Sequence, residues 1–167
     1  MDRKTMEKKR IVSFDLDMTL LGHGTWQIPE SAKKALELLR RDSVIVIATG
    51  RNMDHPLSVE YRDMVRPDAV IHMNGARVVA EGEVLYEHLM DKGLLGDLLT
   101  YAGENGLALG ISLADGDYFT NPQVVDEWDM KRWGECGRQF KDAKLLMDMP
   151  VRTLTYVGGP EGVEKLS

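Results

Sequence analysis

The chain has 167 residues, a formal net charge of −6 and a composition that is 43% hydrophobic and 29% charged. This balance is typical of a globular protein and excludes a disordered or collagen-like chain. The acidic charge disfavours nucleic acid as a partner, because polyanion-binding surfaces need clustered cations. The longest aliphatic run, Val44–Ala48, is too short to span a bilayer, so we expect no membrane partner.

The cysteine content and the amino-terminal sequence indicate a location. Cys136 is the one cysteine, so the chain cannot form an internal disulfide, which is typical of proteins in the reducing cytoplasm. Residues 1–10 are rich in charge and contain no apolar signal-peptide core. The sequence therefore predicts a cytoplasmic protein in which Cys136 is a packed, unreactive thiol.

The first half of the chain predicts strands that alternate with helices. Short apolar runs mark the strands, and apolar residues at helical spacing mark the helices between them. The uninterrupted β-branched run of the second strand is typical of a parallel strand covered on both faces. In chain order the predicted elements are a strand at 11–14, a helix around Ala32, Ala35, Leu36 and Leu39, a strand at 44–48, a helix at 55–65 and a strand at 69–72. This order predicts an α/β fold with a Rossmann-like parallel sheet.

The second half of the chain changes in character. Residues 1–80 carry a net charge of +2 and residues 81–167 one of −8, which together make the −6 of the chain. Hairpins and helices are expected there: strands at 77–80 and 84–86, a helix over 94–102, strands at 107–113 and 118–120, a helix at 122–133, a strand at 151–157 and a helix from Pro160. We therefore predict two domains, an α/β domain over 1–80 and an α+β domain over 81–167.

Two carboxylates follow the first predicted strand. Asp15 and Asp17 come directly after Ile11–Phe14, and ligands of open parallel sheets bind at the carboxyl ends of strands. Two carboxylates this close repel each other unless a cation or proton lies between them. The sequence thus predicts a site for a hard divalent cation such as Mg²⁺ held by Asp15 and Asp17, although a solvated acidic turn would have the same residues.

A second polar motif follows the next predicted strand. Thr49, Gly50 and Arg51 come directly after Val44–Ala48, so they are expected at the same edge of the sheet as Asp15. Glycine allows close approach of the backbone to an anion, and a guanidinium is suited to phosphate oxygens. Alone this motif is common, but together with the acidic pair it predicts a phosphate site.

At these motifs the sequence resembles the haloacid dehalogenase (HAD) superfamily, and within it the Cof-type phosphatases. The segment Asp15–Leu21 is similar to the first motif of that family, Ala48–Arg51 to its second, and Met73–Ala76 to the segment that leads into the cap domain of the subfamily. Met18 departs from the pattern, since glycine is usual there. The resemblance implies a Rossmann-like HAD core, present here in its amino-terminal part, with an α+β cap domain from about residue 81.

The resemblance also implies a mechanism. Asp15 would attack phosphorus and form an aspartyl-phosphate, and Asp17 would protonate the leaving alcohol and later activate water. Mg²⁺ would be held by the Asp15 carboxylate and the Asp17 backbone carbonyl. Thr49 and Gly50 would hold the transferring phosphoryl group. The implied activity is Mg²⁺-dependent hydrolysis of small phosphorylated metabolites such as sugar phosphates.

Arg51 and Asn74 would contact the rest of the substrate. Arg51 directly follows Gly50, and Asn74 belongs to the segment Met73–Ala76. The resemblance thus gives each of them a substrate-binding role.

Two parts of the family pattern do not occur in this sequence: a lysine and a second acidic segment, both expected after the cap. We therefore expect the chain to be truncated, or to be the amino-terminal portion of a longer enzyme, and its own activity to be in question. The strand at Ile11–Phe14 would then be an exposed apolar edge, open to pairing with a second copy of the chain.

Other functions were weighed against the phosphatase. A non-catalytic phosphate-binding or interaction fragment of a HAD-like protein is the alternative. A phospho-accepting receiver domain is disfavoured, because Thr49 occupies the position where its acceptor aspartate is needed. His72 is interpreted as a packed or hydrogen-bonded residue and the segment 126–129 as a solvated helix face. Trp128 and Trp133 are interpreted as core residues, with the lining of a substrate entrance in the cap as the alternative.

Overall fold

The protein, described here by a computed structural model, is resolved at residues 10–22 and 24–166. They form two compact units, one ending at His88 and the other beginning at Leu89. The charge pattern of the sequence predicts a domain boundary near residue 80, but residues 83–87 pair with the sheet of the first unit. Most of the segment expected to lack a signal-peptide core, residues 1–9, lies outside the described residues. Within the described ranges, no helix has the length and apolar character needed to cross a membrane.

A five-stranded sheet with the order β1-β2-β3-β4-β5 forms the first unit. Its strands are β1 (Arg10–Phe14), β2 (Ser43–Ala48), β3 (Ala69–His72), β4 (Arg77–Ala80) and β5 (Glu83–Glu87). The first three are parallel, and β4 and β5 add an antiparallel hairpin. The sheet therefore has the parallel strands that the sequence predicted, and β1 lies at its edge.

Two helices connect the parallel strands. Helix α1 (Glu30–Leu39) lies between β1 and β2, and α2 (Pro56–Val65) between β2 and β3. Pro29 precedes α1, and the His55 side chain caps α2 by accepting the Leu57 backbone N–H. The core of this unit is built on the fully buried β2 residues Ile45 and Ile47. The predicted α/β fold is confirmed.

The second unit contains a four-stranded sheet with the order β8-β7-β6-β9. Its elements are α3 (Lys92–Glu104), β6 (Ala108–Leu113), β7 (Gly116–Phe119), α4 (Pro122–Trp133), β8 (Phe140–Lys141), a 3-10 helix (Ala143–Asp148), β9 (Thr155–Val157) and α5 (Pro160–Leu166). Tyr118 packs with residues of α3 and the 3-10 helix, whereas Phe119 packs with Val125 of α4. Because successive strand residues point to opposite faces, both faces of this sheet are covered.

The last predicted strand is wrong in its first half. Residues 151–154 are not in a strand, and β9 comprises Thr155–Val157 only. Val151 is buried in the cluster that contains Leu95 and Leu146, and its carbonyl accepts the Met90 N–H. The apolar character of this segment therefore reflects packing beneath α3 rather than strand pairing.

Two interpretations of α4 are also wrong. Trp128 and Trp133 are 38% and 60% exposed, so they are not core residues. Asp129 is buried and forms an ion pair with Arg138, with 2.6 Å between Oδ2 and Nε. The segment 126–129 is thus not a uniformly solvated face, because one of its acids turns toward a partner that follows the helix.

Candidate active site

The first polar motif forms a tight turn at the end of β1. The backbone N–H groups of Leu20 and Leu21 donate to the Leu16 carbonyl at 3.1 and 2.8 Å. Leu16, Leu20 and Leu21 are buried in the core, so the apolar residues of the motif anchor the turn. Asp15 lies exposed between the strand and the turn, where its carboxylate is accessible.

Met18 occupies a left-handed backbone position in this turn, with a φ of 63°. Such a φ is uncommon for residues other than glycine, and it explains why the family pattern has glycine here. The side chain is 69% exposed, so methionine meets no packing obstacle. The departure from the family pattern leaves the turn in place and costs backbone strain only.

The second motif lies at the end of β2, beside the segment that follows β3. Thr49 is buried, its N–H donates to the Ile71 carbonyl at 2.9 Å, and its carbonyl accepts the Asn74 N–H at 3.4 Å. A Cβ on Gly50 would lie 3.0 Å from Asn74 Oδ1. A side chain at this position would therefore crowd the Asn74 side chain, and the structure brings Thr49, Gly50 and Asn74 together.

Arg51 connects the two motifs. Its Nε and Nη2 donate to the two carboxylate oxygens of Asp17 at 2.8 and 2.6 Å. These hydrogen bonds raise the pKa of Arg51 and outweigh the opposing effect of burial, and the charges of Asp17, Tyr61 and Asp15 act in the same direction. The arrangement is a bidentate ion pair, which fixes the orientation of both planar groups.

The guanidinium of Arg51 also lies between two aromatic rings. Its Cζ is 5.8 Å from the ring centroid of Trp26 and 5.2 Å from that of Tyr61, within the range of a cation–π contact. The sequence prediction missed both aromatic residues, because neither belongs to a strand-end motif. The sequence contains one signal for this contact, a tryptophan in the polar segment 22–27. Large aromatic side chains usually pack inside the protein, so a tryptophan in such a segment indicates a specific contact.

The capacity of the site for a metal ion rests on few oxygen atoms. In the described part of the chain, no group of three or more His, Cys, Asp or Glu side chains is placed to hold a metal ion. Both Asp17 carboxylate oxygens are engaged by Arg51. The Asp15 carboxylate and the Asp17 carbonyl are the oxygens of this motif that fit a cation, and Mg²⁺ uses one or two carboxylates together with water and substrate phosphate.

A match to a family model identifies the chain. The sequence model described as haloacid dehalogenase-like hydrolase matches residues 12–165. The chain therefore belongs to the haloacid dehalogenase-like hydrolase family, as the motifs of the sequence indicate. No curated protein matches the chain.

Solved structures of the same fold resemble the chain over nearly its whole length. BT1666, a HAD-superfamily phosphatase from Bacteroides thetaiotaomicron, has a TM-score of 0.79 at 23% identity over 99% of this chain and 62% of its own. The HAD subclass IIB sugar phosphatase BT4131 has a TM-score of 0.73 at 22% identity, over 95% and 62%. A HAD/COF-like hydrolase from Plasmodium vivax has a TM-score of 0.65 at 17% identity, over 95% and 59%. The chain thus spans about three fifths of the length of these relatives and shares their HAD, Cof-type fold.

Proposed function

We propose that the protein is a Mg²⁺-dependent phosphatase that hydrolyses small phosphorylated metabolites, such as sugar phosphates, through an aspartyl-phosphate. The observation that supports this most is the state of Asp15. Its side chain is exposed at the end of β1, and it has no hydrogen bond or ion pair to the described residues. A carboxylate that no hydrogen bond holds, at the end of the strand that pairs with the one before Thr49, is available for attack on phosphorus.

In the proposed first step, Asp15 forms a bond to phosphorus and the bond from phosphorus to the alcohol oxygen breaks. The departing oxygen takes a proton from Asp17, so the products are an aspartyl-phosphate, a neutral alcohol and the Asp17 carboxylate. In the second step Asp17 takes a proton from water, and the resulting hydroxide attacks phosphorus and releases Asp15 and inorganic phosphate. Since Arg51 engages both Asp17 oxygens, catalysis requires Arg51 to give up at least one of them.

The phosphoryl group would lie against Thr49 and Gly50, with Arg51 and Asn74 at the rest of the substrate. The absence of a side chain at Gly50 leaves its backbone accessible, and Asn74 lies directly beside it. Mg²⁺ would be held by the Asp15 carboxylate and the Asp17 carbonyl, and it would neutralise phosphate charge when bound. We also propose that the protein acts in the cytoplasm and binds neither nucleic acid nor membrane.

Hydrolysis of p-nitrophenyl phosphate by the full chain with Mg²⁺ tests the proposal. We expect phosphate release that is lost in Asp15→Asn, together with a phosphorylated peptide that contains Asp15 after acid quenching. Asp63→Asn is the matched control, because Asp63 is exposed on α2, and it should retain activity.

Stoichiometric phosphate binding without turnover would instead support the alternative, a non-catalytic phosphate-binding fragment. One observation favours that alternative: the motif offers a metal ion few oxygen ligands, the Asp15 carboxylate and the Asp17 carbonyl. Phosphate binding by the wild-type chain with Mg²⁺, with no release of p-nitrophenol, would decide for it.

A further inference from the structure

His72, the last residue of β3, places a polar side chain at a core position of the sheet. It lies two residues after Val70 and so on the same face of the strand, and Val70 belongs to the apolar core of the first unit. His72 is 1% exposed. A polar group in an apolar interior is costly unless hydrogen bonds satisfy it, so the hydrogen bonds of His72 indicate what this residue does.

The imidazole is bonded to the loop at 49–53, which carries the second motif. Its Nδ1 accepts the Met53 N–H at 3.2 Å. Met53 is itself 1% exposed and packs in the core of the first unit, so water has little access to this N–H. His72 therefore supplies an acceptor to a buried donor, and loss of the acceptor would leave that donor unsatisfied.

Backbone hydrogen bonds join the same two segments closer to the site. The Met73 N–H donates to the Arg51 carbonyl at 3.1 Å. The Asn74 N–H donates to the Thr49 carbonyl at 3.4 Å. Within the loop, Thr49 Oγ1 accepts the Arg51 N–H at 3.2 Å, which leaves the hydroxyl hydrogen to donate to a ligand. The bond at His72 adds a side-chain contact at the far end of the loop.

We propose that His72 is a positioning residue of the candidate phosphate site. By holding the Met53 end of the 49–53 loop, it keeps Thr49 and Gly50 where a phosphoryl group would contact them. His72 acts through the loop and does not itself touch the substrate. This inference rests on the proposed phosphatase function for the ligand of the loop, and on the hydrogen bonds above for the loop itself.

The role of His72 requires a particular tautomer of its ring. A nitrogen that accepts a hydrogen bond carries no proton, so the neutral imidazole must hold its proton on Nε2. A long-range ¹H–¹⁵N correlation spectrum of the imidazole nitrogens in the wild-type chain measures which nitrogen is protonated. We expect the Nε2–H tautomer, and a proton on Nδ1 would overturn the proposal.

Two substitutions of His72 separate its acceptor from its contribution to stability. In His72→Asn the side-chain oxygen is as many bonds from Cβ as Nδ1 is, so it can accept the Met53 N–H. His72→Leu fills the space with an apolar side chain that accepts no hydrogen bond. A smaller and polar side chain packs less well in an apolar core. We therefore expect His72→Asn to lower the urea midpoint at least as much as His72→Leu does, and yet to keep the loop in place.

The position of the loop and the affinity of the site are measured separately. Amide signals of the ¹⁵N-labelled full chain report on the loop, and calorimetric titration with inorganic phosphate and Mg²⁺ reports on the site. In His72→Leu we expect the Gly50 and Arg51 signals to shift and the Met53 N–H to exchange about tenfold faster, the effect of one buried hydrogen bond. Phosphate should bind about tenfold more weakly for the same reason. His72→Asn should keep these signals and bind phosphate nearly as well as the wild type, whereas a purely structural role predicts the reverse order of the two variants.

Val65→Ala is the matched control for lost stability. Val65 is a fully buried residue of the same unit and lies at the end of α2, before the start of β3, whereas His72 ends that strand. The variant removes buried methyl groups, so it should lower the urea midpoint as the His72 variants do. It should leave the Gly50 and Arg51 signals and the phosphate affinity unchanged.

The outcomes distinguish this inference from the proposed function. Unchanged Gly50 and Arg51 signals in His72→Leu, an equal disturbance in His72→Asn, or a shift of these signals in Val65→Ala would each overturn the role of His72. So would an unchanged phosphate affinity in His72→Leu when the wild type binds phosphate. If the wild type does not bind phosphate, the phosphatase proposal fails, and the loop signals still decide whether His72 positions the loop. If His72→Leu does not fold, the tautomer in the wild type and the loop signals of His72→Asn decide.

Discussion

Asp115, in the turn between β6 and β7, accepts two hydrogen bonds on one carboxylate oxygen. Lys141 Nζ and Tyr118 Oη both lie 2.6 Å from Oδ2. The hydrogen bond from Lys141 and then that from Tyr118 lower the pKa of Asp115, because both donors favour the ionised form. The same contacts raise the pKa of Lys141.

We expect this cluster to make the stability of the second unit depend on pH. The folded-state pKa of Asp115 is below its unfolded value, so its stabilising contribution is present above about pH 4 and is lost as the pH falls through the folded-state pKa. Asp115→Asn should therefore flatten the acid side of the stability profile and leave the slope near neutral pH unchanged. Urea unfolding at a series of pH values, followed by tryptophan fluorescence, measures this, and an acid slope identical to that of the wild type would contradict it.

At the residue scale, the positions of side chains that follow strands were predictable from the sequence, and their roles in binding and catalysis stay predictions. The order of residues put Asp15, Thr49 and Asn74 after strand ends, and the sheet places Thr49 beside Asn74. His72 is buried and accepts the Met53 N–H at 3.2 Å, which confirms its interpretation as a hydrogen-bonded residue. The bond from Arg51 to Asp17 could not be predicted, since it depends on the conformation of the Arg51 side chain, which lies over the rings of Trp26 and Tyr61.

Two glycines of the second unit, one in a strand and one in a helix, differ in the space that is available for a side chain. Gly110 of β6 faces β7 so closely that a Cβ would overlap the Tyr118 carbonyl oxygen and lie 2.6 Å from the Phe119 Cα. Gly103 lies near the end of α3 with nothing within 4 Å of an added Cβ. The first glycine is required by strand packing, and the second weakens a helix.

Replacement of these two glycines by alanine should change the free energy of unfolding in opposite directions. Gly110→Ala should lower the free energy of unfolding by about 2–3 kcal/mol, because β6 and β7 must separate. Gly103→Ala should raise it by about 0.5–1 kcal/mol, because alanine has less backbone freedom to lose in a helix. Urea denaturation of both variants measures the two changes, and a Gly110→Ala variant as stable as the wild type would show that the sheet accommodates the methyl group.

Elements with strong local patterns were predictable, and those that depend on tertiary contacts were not. The continuous apolar run of β2 gave bounds close to those observed, and the helix predicted at 122–133 is α4. Strand β8 has two residues and, among the described strands, pairs with β7 alone; two residues are too few to show any periodicity. The 3-10 helix is defined by packing of Ala143 and Leu146 beneath α3, a contact distant in sequence.

At the scale of the whole molecule, β1 is an open edge of the sheet in the first unit. It pairs with β2 alone in the described sheet, and Ile11 is 75% exposed on it. An exposed apolar edge offers unpaired backbone groups to another strand. We propose that two copies of the chain associate through this edge.

A charge at the edge should prevent that association. Ile11→Lys should shift the chain toward monomer in analytical ultracentrifugation, since a lysine on an edge strand opposes pairing. Leu38→Lys, on the exposed side of α1 at 60% exposure, is the control for added charge and should leave the sedimentation profile as in the wild type. A wild-type chain that sediments as a monomer at all concentrations would contradict the proposal.

The bond between Arg51 and Asp17 joins residues 34 positions apart, and this separation has a consequence for biosynthesis. At about 5–20 residues per second, the ribosome adds Arg51 some seconds after Asp17. During that interval the acidic turn has no guanidinium partner, although its leucines are already available. We expect the nascent turn to acquire its final side-chain arrangement only after the second strand has emerged, so that a ribosomal pause before Arg51 would prolong an immature state of this acidic turn.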